Sequence, residues 1–220
     1  MAYSTIIFDL DGTLVDTSKG ILDCIRQTER QFGFEPLPDE IIRTFIGPPI
    51  LGCFLQHYGV SREQADQMLD YYRSIYWQDG LTRGSVYPGC RELLQTLRQR
   101  GCKLGVATMK VEHFALRNLT EFDLLGSFDM ICGYSDELKP TKAQLIQRCL
   151  QHFGVTDHST VLMVGDSTYD AEGAFVSGVD YAAMAEGLGY QNPEDLERFP
   201  SVVQARSYAE LSAFLLPRIG

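Results

Sequence analysis

The chain has 220 residues, 45% of them hydrophobic and 22% charged, with a formal net charge of −10. That composition supports one large domain, or a core domain with a smaller insertion, and it excludes an intrinsically disordered chain. The acidic balance argues against a nucleic-acid partner or an anionic membrane surface, both of which need basic patches.

The first element is an apolar run, Thr5–Phe8, that reads as a short buried strand. It runs directly into Asp9-Leu-Asp11-Gly-Thr-Leu-Val-Asp-Thr17. Strand alternation puts Asp9 and Asp11 on one side and turns Leu10 into the packing, and Gly12 lets the chain turn away. Read only as a turn, Asp, Gly and Thr after a strand would be ordinary. However, Asp-x-Asp-Gly-Thr-Leu should arise by chance in roughly a few in ten thousand chains of this length. Two neighbouring acids also repel and lose hydration unless a cation, a shared proton or a chemical task accounts for them.

From Thr17 to about Ser85 the pattern is helical, without a convincing strand. Ile21, Ile25, Thr28 and Phe32 line a first helical face closed by Gly33. Ser61 and Gln64 form a candidate capping box for a helix carrying Ala65, Met68, Leu69, Tyr72 and Ile75. Between them Phe45-Ile-Gly47-Pro48-Pro49 is a turn-rich segment, read equally as a substrate-facing loop or a plain connection, and Arg43 beside it reads as a surface residue. Helical insertions at strand ends commonly act as lids.

Beyond the insert, apolar runs at Lys103–Thr108, Phe128–Cys132, Thr160–Gly165 and Val179–Met184 predict further strands. Helical patterns at Arg91–Arg100 and Ala143–Phe153 end at Gly101 and Gly154. Strand–helix alternation at this spacing predicts an α/β fold, a doubly wound, Rossmann-like parallel sheet with a small α-helical cap. The expected division is a core of residues 1–16 and 86–220 and a cap of residues 17–85.

Three later segments offer polar groups to the same sheet edge. Asp166 lies just past the Thr160–Gly165 run, and Asp170 follows one turn into the next helix. Taken alone they could be a helix N-cap and a first-turn acid. Beside a second strand ending in Asp9 and Asp11 they form an oxygen-only set suited to a hard cation, for which Mg²⁺ fits best. Thr108 closes another strand within Val106-Ala-Thr108-Met109-Lys110, where hydroxyl and amide groups suit phosphate oxygens. Lys139-Pro-Thr-Lys142 opens a helix; a lysine at a helix start opposes the dipole and so points to an anionic partner, with Lys139 and Lys142 both open for that role.

These four segments resemble the motifs of the haloacid-dehalogenase-like hydrolases, and within them the small phosphatases related to phosphoglycolate phosphatase, over nearly the whole chain. The resemblance implies Asp9 as nucleophile, Asp11 as general acid and base, and Mg²⁺ held by Asp9, the Asp11 carbonyl and Asp166, with Asp170 close by. It implies Thr108, the Met109 amide and one of the two lysines at the phosphate, Lys142 being favoured from its place in Lys-x-x-x-Ile and Lys139 matching the commoner Lys-Pro spelling. The implied activity is hydrolysis of a small phosphorylated metabolite, a phosphoglycolate-like phosphomonoester, through an aspartyl-phosphate. Alternatives are a phosphomutase of the β-phosphoglucomutase kind, a 5′-nucleotidase or pyrophosphatase of the same family, or a non-enzymatic phosphometabolite-binding regulator. A carboxylate at Asp11 disfavours dehalogenation, and the one candidate cap lysine for Schiff-base chemistry, Lys19, sits just after the first motif. Six scattered cysteines without a Cys-x-x-Cys pair, and no signal-peptide or membrane-spanning pattern, predict a cytoplasmic protein with reduced thiols, either monomer or homodimer.

Overall fold

The computed structural model describes residues 2–190 and 192–220. Strand β1 (Thr5–Phe8) is buried throughout. A two-residue strand β2 (Val15–Asp16) then leads into the helices α1 (Ser18–Phe32), α2 (Asp39–Arg43), α3 (Ile50–His57) and α4 (Arg62–Gln78). The chain returns through β3 (Ser85–Val86) and α5 (Cys90–Gln99) to the long strand β4 (Lys103–Val111). After that come α6 (Glu112–Glu121), β5 (Met130–Tyr134), α7 (Lys142–Phe153), β6 (Val161–Gly165), α8 (Thr168–Ser177) and β7 (Asp180–Met184). The short α9 (Pro193–Glu197), β8 (Val203–Ala205) and α10 (Tyr208–Leu215) finish the chain.

Six strands form one sheet in the order β5-β4-β1-β6-β7-β8, and every neighbouring pair is parallel. Alternation along β1 explains the layers. Ile6 and Phe8 enter an apolar cluster with Leu93, Leu94 and Leu97 of α5 and Leu211 and Leu215 of α10. Ile7 points the other way, into a cluster with Leu145, Ile146 and Cys149 of α7 and Ala171 and Ala174 of α8. Both sheet faces are therefore covered by helices, which is the doubly wound architecture predicted from the strand–helix rhythm. The winding reverses at β1: the chain builds outward to β4 and β5 on one side, then crosses back to β6 on the other. Ligands bind such sheets at the carboxyl ends of the strands beside that reversal.

The insert packs around an apolar cluster of its own, in which Ile21 and Ile25 (α1), Ile42 (α2), Phe54 (α3) and Met68, Leu69, Tyr72 and Tyr76 (α4) meet Phe114 of α6. Gly33 and Gly154 end α1 and α7 in the left-handed conformation, as their positions after helical runs predict. Ser61 accepts a hydrogen bond from the Gln64 N–H at the start of α4.

Three features differ from the sequence-based expectation. The strand expected at Phe128–Cys132 lies at Met130–Tyr134. Strand β8 escaped notice because three residues are too short for a periodic signal. Two short strands flank the insert, a pairing the sequence does not predict: β2 and β3 run antiparallel, Val15 with Val86 and Asp16 with Ser85, so the two connections to the core lie side by side. Pairing of this kind is decided by tertiary proximity, not by either dipeptide. The six cysteines are free and buried, and among the described residues no helix is long and apolar enough to cross a membrane.

Phe54 is fully buried and makes edge-on ring contacts with Phe45, Tyr58 and Tyr72. Phe54→Ala should cost about 3–5 kcal/mol through lost burial and a residual cavity, measured by denaturant unfolding. A loss below about 1 kcal/mol would contradict a packed insert core.

Candidate active site

Strands β1, β4 and β6 lie next to one another, so the residues at their carboxyl ends converge. Asp9 follows β1, its N–H donating to the Val164 carbonyl of β6, which extends the ladder by one residue and fixes where its carboxylate stands. Asp166 follows β6. Gly12, at φ +83°, turns the chain back over Asp166; a Cβ there would stand 2.0 Å from Asp166 Oδ2, so the turn needs glycine for its conformation and for the approach.

The carboxylate oxygens of Asp9, Asp166 and Asp170 lie within 4.8 Å of one another, and all three residues are buried. Asp166 is held by the Thr13 hydroxyl at 3.0 Å and by the Leu188 and Gly189 N–H groups at 2.6 and 2.8 Å. Asp170 divides its two oxygens. Oδ2 accepts from the Ser167 N–H and hydroxyl and from the Asp166 N–H, completing a capping box in which Ser167 is the N-cap of α8. Oδ1 forms an ion pair with Lys142 Nζ at 2.6 Å. The helix-capping role considered for Asp166 thus belongs to Ser167, and Asp170 serves the cap and the cluster together.

Lys142 is the first residue of α7, whose N-cap Thr141 forms a capping box with Gln144. The Lys142 stem runs past Gly173 of α8, where a Cβ would stand 2.6 Å from Lys142 Cγ. Its ammonium donates to Asp9 Oδ1 at 2.6 Å and to the Ala107 carbonyl at 2.8 Å. Burial works to lower the Lys142 pKa, but Asp170 and Asp9 outweigh it and hold the ammonium above the usual lysine value. These two acids answer the unfavourable placing of a cation at a helix start. Lys139 stands elsewhere: exposed, at φ +44°, on the rim of the cavity described below.

Thr108 is buried in β4 where the pairing with β5 becomes irregular between Ala107 and Val111, and its hydroxyl accepts from the Lys110 N–H. Met109 is half-buried and lines the cavity. Asp11 is held apart from the other acids: its Oδ1 accepts from the Thr17 hydroxyl and from Lys110 Nζ, both at 2.6 Å. Lys110 Nζ also donates to the Tyr76 hydroxyl of α4 at 2.6 Å. Burial foremost, with Asp11 nearby, raises the Tyr76 pKa well above its usual value, so the phenol is neutral and can accept.

Lys110, Tyr76, Thr17 and the Gly187–Gly189 loop were not assigned to the site from sequence. A signal for Lys110 existed, since it sits two residues beyond Thr108 and so on the same side of the strand. Tyr76 carried none: on α4 it looks like another apolar-face aromatic, and only the docking of the insert brings it to Asp11.

Four buried carboxylates face two ammonium groups here, an excess of negative charge. Burial pushes the Asp9 carboxyl up to about 7 against the pull of Lys142, with Asp170 and Asp11 adding to the rise. Asp166 is pushed well above the usual carboxylate range by burial and then by Asp170 and Asp9, despite its two backbone donors. The donors are oxygens only, and the buried carboxylates outnumber the ammonium groups beside them, a set that fits a hard divalent cation.

A cavity of about 590 Å³ opens from Asp11, Met109 and Lys110 and runs between the strand ends and the insert, bounded by the Gly47-Pro48-Pro49 turn and by residues of α3 and α4. Arg43 is exposed and does not line it.

An open parallel sheet with an acid cluster at its reversal point and a helical insert over it defines a class of hydrolases. The chain belongs to the haloacid dehalogenase-like hydrolase family, whose profile matches residues 6–184. It is 34% identical over 197 residues to a 5′-nucleotidase of Pseudomonas aeruginosa, covering 89% of this chain and 88% of that one. It is also 34% identical over 194 residues to a phosphoglycolate phosphatase of Rhodospirillum rubrum, covering 83% and 79%. Among solved structures, the haloacid dehalogenase-like hydrolase SP0104 of Streptococcus pneumoniae superposes with a TM-score of 0.88 at 30% identity, covering 96% of this chain and 98% of that one.

The raised Asp9 carboxyl sets a pH dependence. Its folded pKa, about 7, lies above the ordinary 3.8, so the folded state binds the proton more tightly. Without divalent ions, stability should therefore fall as pH rises from about 4 to about 7. A divalent cation supplies the missing charge only where the acids are ionised, so the gain in melting temperature on adding MgCl₂, against EDTA, should be larger at pH 8 than at pH 5. Equal gains at both would contradict the assignment of this cluster.

Proposed function

We propose that the protein is a Mg²⁺-dependent phosphatase that hydrolyses a small phosphomonoester through an aspartyl-phosphate on Asp9. The observation that carries the reading is the division of the two first-motif acids: Asp9 stands in the cluster against Lys142, whereas Asp11 lines the cavity, against Lys110 and Thr17. This division supports a reading in which one carboxylate meets phosphorus and the other the leaving group.

In the first step an Asp9 oxygen attacks phosphorus, and the bond from phosphorus to the leaving oxygen breaks as Asp11 gives that oxygen its proton. In the second, the Asp11 carboxylate takes a proton from water. The resulting hydroxide attacks phosphorus, releasing phosphate and restoring the Asp9 carboxylate. Lys142, freed from part of its pairing with Asp9, holds a phosphoryl oxygen, as does the Thr108 hydroxyl; the Met109 N–H is a further donor. Asp9, Asp166, Asp170 and the Asp11 carbonyl would hold Mg²⁺. When bound, the ion offsets the repulsion between the Asp9 carboxylate and a phosphate dianion and the charge on the transferring oxygens. Residues 17–85 serve as a cap that excludes water and shapes the site for the leaving group.

The relatives named above support phosphoryl chemistry and differ in the leaving group they act on. Water access to the aspartyl-phosphate separates a phosphatase from a mutase, and inorganic phosphate as the main product is expected here.

Asp9→Asn should lower phosphate release by at least about four orders of magnitude with the fold retained, since removal of a covalent nucleophile forfeits the pathway. Release at the wild-type rate from that variant, in a stopped assay with MgCl₂, would sink the mechanism. Asp11→Asn should also lose turnover but accumulate no phosphate on Asp9 from poor leaving groups, read by mass spectrometry of the quenched protein.

A further inference from the structure

We infer that Lys110 is a positioning residue for Asp11 and that Tyr76 of the insert fixes Lys110, so that the insert takes part in aligning the carboxylate that moves protons. This rests on the phosphatase reading above and deepens it. Strand β4 prepares the arrangement. Between the pairs Ala107–Cys132 and Val111–Tyr134 it is two residues longer than β5. An irregularity of this kind re-aims the side chains it carries, and here it carries Thr108, Met109 and Lys110. The Lys110 N–H donates to the Thr108 hydroxyl at 3.2 Å, which pins the bend of the strand.

The Lys110 side chain is 5% exposed, so its ammonium depends on the partners within reach. Nζ donates to Asp11 Oδ1 and to the Tyr76 hydroxyl, each at 2.6 Å. With one partner, a lysine could swing on its four-carbon stem; two partners, one at the sheet edge and one on the insert, hold it in one place. Tyr76 is itself fixed. Its ring stacks on Tyr72 at 5.5 Å and meets Phe114 of α6 edge-on at 5.6 Å. Three residues earlier on α4, Arg73 pairs with Asp136, beyond β5, through both terminal guanidinium nitrogens. The place of the phenol is therefore set by how α4 sits on the core.

Thr17 and Lys110 donate to the same oxygen of Asp11, Oδ1. That oxygen is a poor seat for a further proton, so the proton that Asp11 exchanges belongs on Oδ2, and the hold on Oδ1 decides where Oδ2 stands. A buried ion pair adds little stability over an apolar pair of the same shape, so a purely structural role explains Lys110 weakly. Its use is in alignment, where a displacement of about 1 Å can cost about a hundredfold in rate.

The test compares kcat/KM for benzyl phosphate, whose alkoxide leaves only with a proton, and for 4-nitrophenyl phosphate, whose nitrophenolate leaves without one, using the full chain with MgCl₂. This ratio of constants covers the steps up to departure of the leaving group, so it reads Asp11 as an acid. Tyr76→Phe keeps both ring contacts and should lower the benzyl ester's kcat/KM by about tenfold or more, while changing the nitrophenyl ester's by less than about threefold. Lys110→Met should shift the two esters apart in the same direction and further, and Lys110→Arg should recover part of the loss. The double variant should do no worse than Lys110→Met alone, since Tyr76 acts through Lys110. Tyr76→Phe carries the test should Lys110→Met fail to fold, judged by circular dichroism. An equal fall for both esters, no change in either, or losses that multiply in the double variant overturn the inference and leave the phosphatase reading standing. Release of phosphate from neither ester by the unaltered protein overturns both.

Discussion

Placing four carboxylates in the interior at one edge of a parallel sheet is expensive in free energy, and much of this structure is arranged around that cost. Water is excluded from Asp9, Asp166 and Asp170, and nothing apolar can replace it. Lys142 is drawn into the cluster from the start of α7, although a cation at that end of a helix is disfavoured by the dipole. Backbone donors from the Leu188–Gly189 turn are spent on Asp166, and the first turn of α8 is organised around Asp170. Burial foremost, with the neighbouring carboxylates adding to it, still holds Asp9 and Asp166 above their usual range. Buried acids in excess of the ammonium groups beside them lower the stability of the fold, as groups arranged for function commonly do.

The insert meets this site through polar contacts as well as an apolar surface. Tyr76 reaches Lys110, and Lys110 reaches Asp11, so a residue of α4 is two hydrogen bonds away from the acid expected to move protons. Thr17, on the connection into α1, holds the same carboxylate oxygen. The placing of Asp11 is thus shared between the sheet, the connection and the insert, while Asp9 is held by the sheet and by Lys142. That difference matches the division of labour proposed for the two residues: the nucleophile needs a rigid seat, whereas the acid must answer to the state of the cavity above it.

Much of this was legible before any coordinates. Strand β1 is a threonine and three apolar residues followed by acids at alternating positions, a local pattern with one sensible reading, and Asp166 after β6 repeats it. Gly33, Gly154 and Thr141 mark helix ends by chemistry that depends on the backbone next to them. The family resemblance followed from four short segments for the same reason, since each is a strand end or a helix start where spacing alone places the side chain. What could not be read was anything settled by distance in space. Nothing in the dipeptides Val15-Asp16 and Ser85-Val86 says that they pair, and nothing on the apolar face of α4 marks Tyr76 as a partner for Lys110.

The choice between Lys139 and Lys142 shows where the boundary falls. By sequence both sit at the opening of one helix, three residues apart, and either could face an anion. The sequence by itself determined the strand ends, the acids on them and the helix that would bring a cation, because those depend on local periodicity and capping. Only the tertiary structure decided which ammonium reaches Asp9. The packing of α7 against α8 at Gly173 opens a path for the Lys142 stem, and Lys139, before the cap, is left on the rim.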